Sequence, residues 1–182
     1  MVCPTAIELE FIASPMPNVH QILMVYHSDT GGTLQMIRAA EAGAFDASDS
    51  VRTRVLHANT AQAEDLLSAD GYLFATPENL AAISGVLKHF FDRTYYAVLD
   101  RIVARPYACL VCAGSDGSNA ARQIERIATG WRLKAIADPL IVCTHAQTAE
   151  AILRPKSIGE ADLQRCRVLG ATIASGVELG IF

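Results

Sequence analysis

The chain has 182 residues, 51% of them hydrophobic, and a net charge of −4, so it suits one folded domain and is a poor candidate for a disordered protein. Its basic residues are scattered and no apolar run approaches the ~20 residues that span a bilayer, which argues against a nucleic-acid partner and against a membrane segment. The first residues lack the pattern of a secretory signal, and five cysteines without framework spacing indicate a reducing cytoplasm.

The first 20 residues have mixed polarity and three prolines, which predicts an N-terminal arm before a single domain over residues 21–182. Strand-like and helix-like segments then alternate. The predicted strands cover residues 21–26, 52–57, 71–75, 106–113 and 134–143, and the Asp138-Pro139 pair interrupts the last as a bulge or the start of a new segment. Residues 52–57 alternate polar and apolar side chains, as an edge strand does.

Apolar side chains at helical spacing predict helices between the strands. The predicted helical segments are residues 34–40, 61–68, 83–91, 120–128 and 163–177. Residues 144–159 give no clear pattern, and Pro155 breaks any long helix there.

Alternating strands and helices predict an α/β fold, a three-layer sandwich with helices on both faces of a five-stranded parallel sheet. A specialised turn after the first strand suggests the order 2-1-3-4-5. In such a sheet a ligand lies outside the carboxyl ends of the strands, where the winding direction reverses.

The turn after the first strand has the composition of an anion site. It consists of Ser28, Asp29, Thr30, Gly31, Gly32 and Thr33 and leads directly into a helical pattern. Helix N-terminal N–H groups lack intrahelical partners, the glycines allow close approach, and the hydroxyls add donors. A strand-to-helix turn with an ordinary N-cap hydroxyl is the alternative.

Two further polar loops are expected at the same rim. Thr76, Pro77, Glu78 and Asn79 follow the third strand, and Gly114, Ser115, Asp116 and Gly117 follow the fourth. None of the three loops contains Lys or Arg, so a bound phosphate would be held by dipoles and hydrogen bonds. Ordinary turns before helices remain the alternative for both.

Cys109 and Cys112 form a C-x-x-C pair inside a strand-like run. Residues three apart on a strand point to opposite faces, so the two sulfurs would not meet. Packing in the core is therefore favoured over a redox or zinc pair.

The chain resembles the flavodoxin-like FMN proteins. Ser28, Thr30, Gly31 and Thr33 match the hydroxyl and Thr-Gly phosphate loop of that superfamily. Residues 76–79, followed by residues 84–93, look like the second signature of NAD(P)H-dependent FMN reductases and flavodoxin-like quinone reductases. The resemblance covers residues 21–142.

The resemblance implies FMN as cofactor and NAD(P)H as co-substrate. Residues 28–33 would hold the FMN phosphate, residues 76–79 would line the isoalloxazine ring, and residues 114–117 would close the other side. The flavin would carry a hydride to a quinone, a flavin or a similar acceptor, with no catalytic side chain and no metal. Asp29, Glu78 and Asp116 would lower the reduction potential.

Other functions stay open from the sequence. The runner-up is a flavodoxin-type electron carrier that docks to redox proteins, and a third reading is a flavodoxin-like module without flavin. The expected partner is a small-molecule electron acceptor, and apolar residues within 95–103 are compatible with a homodimer.

Overall fold

The computed structural model describes residues 19–182, so residues 1–18 of the predicted arm lie outside the described part. In chain order the strands are β1 (His20–Tyr26), β2 (Val51–His57), β3 (Gly71–Asn79), β4 (Ala82–Ile83), β5 (Pro106–Ala113), β6 (Lys134–Ala135) and β7 (Leu140–Cys143). The helices are α1 (Gly32–Ala47), α2 (Ala63–Ser68), α3 (Gly85–Val98), α4 (Ser118–Gly130), α5 (Ala149–Leu153) and α6 (Glu160–Leu179).

The main sheet is parallel with the order β2-β1-β3-β5-β6, and β7 also pairs with β5. This confirms the predicted fold class and the edge position of β2, whereas the order differs slightly from the predicted one because of the additional strands. The count differs because the described chain forms seven strands where five were predicted. The predicted fifth strand is divided into β6 and β7 around Asp138-Pro139, since proline cannot donate to the strand ladder.

The additional strand β4 comes from a hairpin that the sequence did not reveal. β3 continues through the predicted loop to Asn79 and turns back over two residues, Leu80 and Ala81, with φ of 51° and 60°. Positive φ at both central residues is the geometry of a type I′ turn, which matches the twist of a hairpin.

Ile83 was predicted as the first residue of the helix over residues 83–91, but it lies in β4. Helix α3 begins only after Ser84, whose hydroxyl accepts a hydrogen bond from the Leu87 N–H at 3.1 Å. This cap fixes the start of the helix. Ile83 is still buried in the same hydrophobic cluster as Leu87 and Phe90.

Two hydrophobic cores lie on the two faces of the sheet. One packs α3 and α4 around Phe74 and Trp131, and the other packs α1 and α6 around Met24 and Ile173. Cys109 belongs to the first core and Cys112 to the second, so the two thiols face opposite sides as predicted. This two-sided packing buries the sheet and leaves its carboxyl edge for the site.

The segment predicted as a contact between subunits is only partly apolar at its surface. Val98 and Ile102 are buried, whereas Tyr96 is 86% exposed and Val103 is 46% exposed. The homodimer therefore stays a prediction. In the described residues, every helix is too short or too polar to cross a membrane.

Candidate functional site

A cavity of about 580 Å³ lies at the carboxyl ends of β1, β3 and β5. Its walls come from the loop after β1, the β3–β4 hairpin, the end of β5 and residues 144–156. The order of the sheet reverses between β1 and β3, so the cavity occupies the switch point at which open α/β sheets bind ligands.

The N-terminus of α1 forms one end of this cavity. Gly31 caps the helix with φ of 83°, which is favourable for glycine. The Ser28 hydroxyl accepts a hydrogen bond from the Leu34 N–H at 3.3 Å, so its own proton remains available to a ligand. The Thr33 hydroxyl is buried in the cavity wall and has no hydrogen-bond partner in the structure.

Gly32 allows the helix to approach the floor of the cavity closely. A Cβ at this position would lie 2.6 Å from Cys112 Sγ and 3.3 Å from Lys156 Cβ. A larger residue would therefore displace these neighbours. The glycine is required by close packing, and its φ is not in the left-handed region.

The hairpin wall is tied to its neighbours by amide side chains. Asn79 Nδ2 donates to Asp29 Oδ2 at 3.1 Å, which joins the hairpin to the loop after β1. On the other side Asn119 Nδ2 donates to the Ala81 carbonyl at 2.5 Å. These bonds hold Leu80 at the tip, where its side chain is fully exposed beside the cavity.

Residues 144–159, which we call the strap, form a wall of the cavity and show no periodic pattern in the sequence. The Lys156 N–H donates to the Thr30 carbonyl at 2.8 Å. The Gln35 side chain donates to the Lys156 carbonyl at 2.7 Å and accepts from the Ile158 N–H at 3.1 Å. The strap is thereby fastened to the first turn of α1 and places Ile152 and Leu153 at the cavity.

The strap also brings a cation to the cavity. Lys156 lines it, and Nζ donates to the carbonyls of Ala151, Ile152 and Arg154, each at 2.7 Å. The three loops lack Lys and Arg, as the sequence shows, and Lys156 is the only Lys or Arg that lines the cavity within residues 19–182. A lysine more than 100 positions away in sequence completes this end of the cavity.

Most of the predicted site residues share this cavity. Those that line it are Ser28, Asp29, Thr30, Gly32, Thr33, Pro77, Glu78, Asn79, Gly114 and Ser115.

The remaining four predicted residues, Gly31, Thr76, Asp116 and Gly117, are not among the lining residues. Gly31 and Gly117 cap α1 and α4. The Thr76 hydroxyl is buried, donates to the Pro77 carbonyl and accepts from the Ser84 N–H. Asp116 accepts from the Ser118 hydroxyl at 2.6 Å. These contacts give all four a structural role in shaping the loops.

Sequence reasoning missed several lining residues. Thr144 follows the last strand at the same rim, so the rule for carboxyl ends could have found it. Ile152, Leu153 and Lys156 lie in an irregular segment without a periodic signal. Their position depends on the hydrogen bonds that fasten the strap to α1.

Burial affects two titratable groups near the cavity. It lowers the pKa of His27 from the usual 6.5, an effect that Asp29 opposes and His57 increases. The His27 imidazole is therefore favoured in its neutral form. Burial also raises the pKa of the Cys112 thiol to about 11, with Lys156 acting in the opposite direction, so this thiol is protonated at neutral pH.

Within residues 19–182, no group of three or more His, Cys, Asp or Glu side chains is arranged to hold a metal ion.

Comparison with known proteins agrees with this geometry. A flavodoxin of Aquifex aeolicus (strain VF5) is 33% identical over 72 residues, which are 40% of this chain and 38% of that flavodoxin. The structure of a flavodoxin from the domain Archaea superposes with a TM-score of 0.70 at 20% identity, covering 87% of this chain and 99% of the other. The structure of a flavodoxin, WrbA-like protein from Agrobacterium tumefaciens superposes with a TM-score of 0.67 at 16% identity. This match covers 88% of this chain and 98% of the other.

The two structural likenesses show the flavodoxin-like fold. The family model for NADPH-dependent FMN reductase matches residues 27–147, about two thirds of the chain, and this span contains all three loops. The chain therefore belongs to the NADPH-dependent FMN reductase family.

Proposed function

We propose that this chain binds FMN in the cavity and acts as an NAD(P)H-dependent oxidoreductase that reduces a quinone, a flavin or a similar small acceptor. The family membership supports FMN and oxidoreductase chemistry. The choice of co-substrate and acceptor is our inference.

The observation that carries the proposal is the Thr33 hydroxyl. It is 1% exposed, has no hydrogen-bond partner within residues 19–182, and belongs to a residue that lines the cavity from the first turn of α1. A buried hydroxyl without a partner is costly, so such a group indicates a missing ligand. A phosphate oxygen at the helix N-terminus would satisfy it.

The other residues fit the remainder of FMN. Ser28 and Thr30 supply hydroxyls at the same end of the cavity as Thr33, and Gly32 lets the N-terminus of α1 pack closely against Cys112 and Lys156. Pro77 and Asn79 line the cavity from the hairpin and Gly114 lines it from the loop after β5, and we assign the flavin ring to these residues. Bound FMN would supply the electron transfer, and the protein would position it and tune its potential.

An aromatic acceptor fits the outer part of the cavity. Leu80, from the hairpin, and Ile152 and Leu153, from the strap, are exposed large apolar side chains that line the cavity. Apolar contacts of this kind favour a flat, uncharged molecule over a strongly hydrated one.

The second candidate is an electron carrier that docks to redox proteins and does not use NAD(P)H. The 33% identity to a flavodoxin is the observation in its favour. That match spans well under half of either protein, whereas the reductase family model spans about two thirds of this chain.

One experiment separates these candidates. The purified protein is titrated with FMN while its visible spectrum is recorded, and NADPH or NADH is then added without oxygen. The reductase binds FMN and its flavin absorbance bleaches on addition of the nicotinamide. The carrier binds FMN without bleaching, and a protein that does not change the FMN spectrum would refute both.

A further inference from the structure

Lys156 lies directly against the loop that we assign to the phosphate. Its Cβ is 3.3 Å from the position that a Gly32 Cβ would take, and its N–H donates to the Thr30 carbonyl at 2.8 Å. Its carbonyl accepts from Gln35 in the first turn of α1. Three independent contacts thus fix this residue beside the N-terminus of the helix.

The ammonium group of Lys156 is held in place and does not extend freely into solvent. Nζ donates to three carbonyls of the strap, which uses all three N–H groups of the ammonium, so Lys156 would act on a bound anion through its charge and not through a hydrogen bond. The charge is close enough to the cavity floor to oppose the effect of burial on Cys112. The cation is therefore preorganised near the cavity before a ligand arrives.

The charges that line the cavity make this cation necessary. Asp29 and Glu78 contribute carboxylates, and Lys156 is the only Lys or Arg among the cavity-lining residues of the described chain. A phosphate monoester carries about −1.5 to −2 charges at pH 7. Hydrogen bonds from hydroxyl and backbone groups satisfy its oxygens, but only Lys156 offsets the repulsion from the two carboxylates.

We propose that Lys156 is the cationic member of the phosphate site, and that the strap supplies it across the fold to distinguish FMN from flavins without a phosphate. This inference rests on the proposed binding of FMN. It adds a residue that the family loops do not contain, and it makes phosphate binding and the position of the strap interdependent.

The test compares FMN with riboflavin, which has the same ring and no phosphate. Both are titrated by fluorescence quenching against the wild-type apoprotein and against Lys156→Gln, Lys156→Arg and Lys134→Gln. Lys134 is exposed in β6, so Lys134→Gln makes the same change in net charge away from the cavity. Each FMN titration is repeated at low and at high salt.

We expect Lys156→Gln to weaken FMN binding about tenfold and to change riboflavin binding less than about twofold. Lys156→Arg should keep most of the preference for FMN over riboflavin, and Lys134→Gln should bind both flavins as wild type does. The wild-type affinity for FMN should fall with salt more steeply than that of Lys156→Gln.

Equal losses for FMN and riboflavin in Lys156→Gln would overturn the inference, because the lysine would then only support the strap. An unchanged affinity for FMN would overturn it as well. A wild-type protein that binds neither flavin would refute the proposed function itself, and this inference with it.

Discussion

Asn79 and Asp29 lie 50 positions apart and join two walls of the cavity through one hydrogen bond, Nδ2 to Oδ2 at 3.1 Å. Both residues are exposed, so this bond contributes little to global stability. Its effect is to fix the hairpin relative to the loop after β1, and thus the width of the cavity at this point.

Replacing Asn79 should therefore affect binding more than folding. Asn79→Ala is expected to weaken FMN binding about 3- to 10-fold and to change the free energy of unfolding by less than about 0.5 kcal/mol. Asp29→Asn keeps this hydrogen bond, because the amide oxygen can still accept from Asn79, and it removes a negative charge, so it should not weaken FMN binding. Fluorescence titration and urea unfolding measure both effects, and equal affinity in Asn79→Ala and wild type would contradict the prediction.

Replacing Thr33, whose hydroxyl has no partner within residues 19–182, should change stability and FMN binding in opposite directions. Thr33→Val keeps the shape and removes the buried polar group, so the apoprotein should keep its stability or gain up to about 1 kcal/mol. Binding of FMN should weaken about 3- to 10-fold, because the phosphate loses a donor.

Thr94→Val is the matched control for Thr33→Val. Thr94 is equally buried, but its hydroxyl donates to the Phe90 carbonyl at 2.8 Å. Thr94→Val should lower the free energy of unfolding by about 1 kcal/mol and leave the affinity for FMN unchanged. A Thr33→Val protein that loses stability and binds FMN normally would refute the assignment of Thr33.

The carboxylates at the cavity should lower the reduction potential of bound FMN. Glu78→Gln removes a negative charge from the lining and should raise the midpoint potential by an amount on the order of tens of millivolts. Asp116 is not among the lining residues, so Asp116→Asn should produce a smaller shift. Spectroelectrochemical titration measures the midpoint potentials of both variants. Identical potentials in Glu78→Gln and wild type would refute the proposed effect of the carboxylate on the potential.

His27 should make stability depend on pH. Burial lowers its pKa in the folded protein below the 6.5 of the unfolded chain, so the unfolded state binds more protons as the pH falls below 6.5. Stability contributed by this group is present above pH 6.5 and decreases toward the lowered folded pKa, with a slope of at most about 1.4 kcal/mol per pH unit.

Urea unfolding of His27→Gln between about pH 5 and 7 tests this dependence. The variant should show a flatter profile than wild type. His89→Gln, on the exposed side of α3, should leave the profile unchanged. Parallel profiles for wild type and His27→Gln would refute the role of His27.

The packing of α1 against α6 depends on glycine. A Cβ at Gly170 would lie 1.9 Å from the Ala40 carbonyl oxygen, so the helices would have to separate. Gly170→Ala should therefore lower the free energy of unfolding by about 1–3 kcal/mol. In contrast Gly130→Ala, with nothing within 4 Å, should stabilise by about 0.5–1 kcal/mol. Equal stability of the two variants in urea would contradict this view of the helix contact.

The sequence alone determined the sheet and most of the cavity. Its apolar runs and helical spacings are local patterns that burial on both faces requires, so they predict the parallel sheet and the opposite faces of Cys109 and Cys112. The rule that ligands bind at the carboxyl ends of strands placed the three loops at one rim. Short elements such as β4 were missed, because a two-residue strand has no periodicity.

Only the tertiary structure determined which residues complete the cavity beside those loops. Lys156, Ile152 and Leu153 reach the cavity through hydrogen bonds between the strap and α1, and contacts between residues so far apart in sequence leave no local pattern. It also separated Thr33, whose hydroxyl faces the cavity without a partner, from Thr76, whose hydroxyl is used within its own loop. Residue type is the same in both cases, and only the surrounding donors and acceptors distinguish a group available to a ligand from one that is already satisfied.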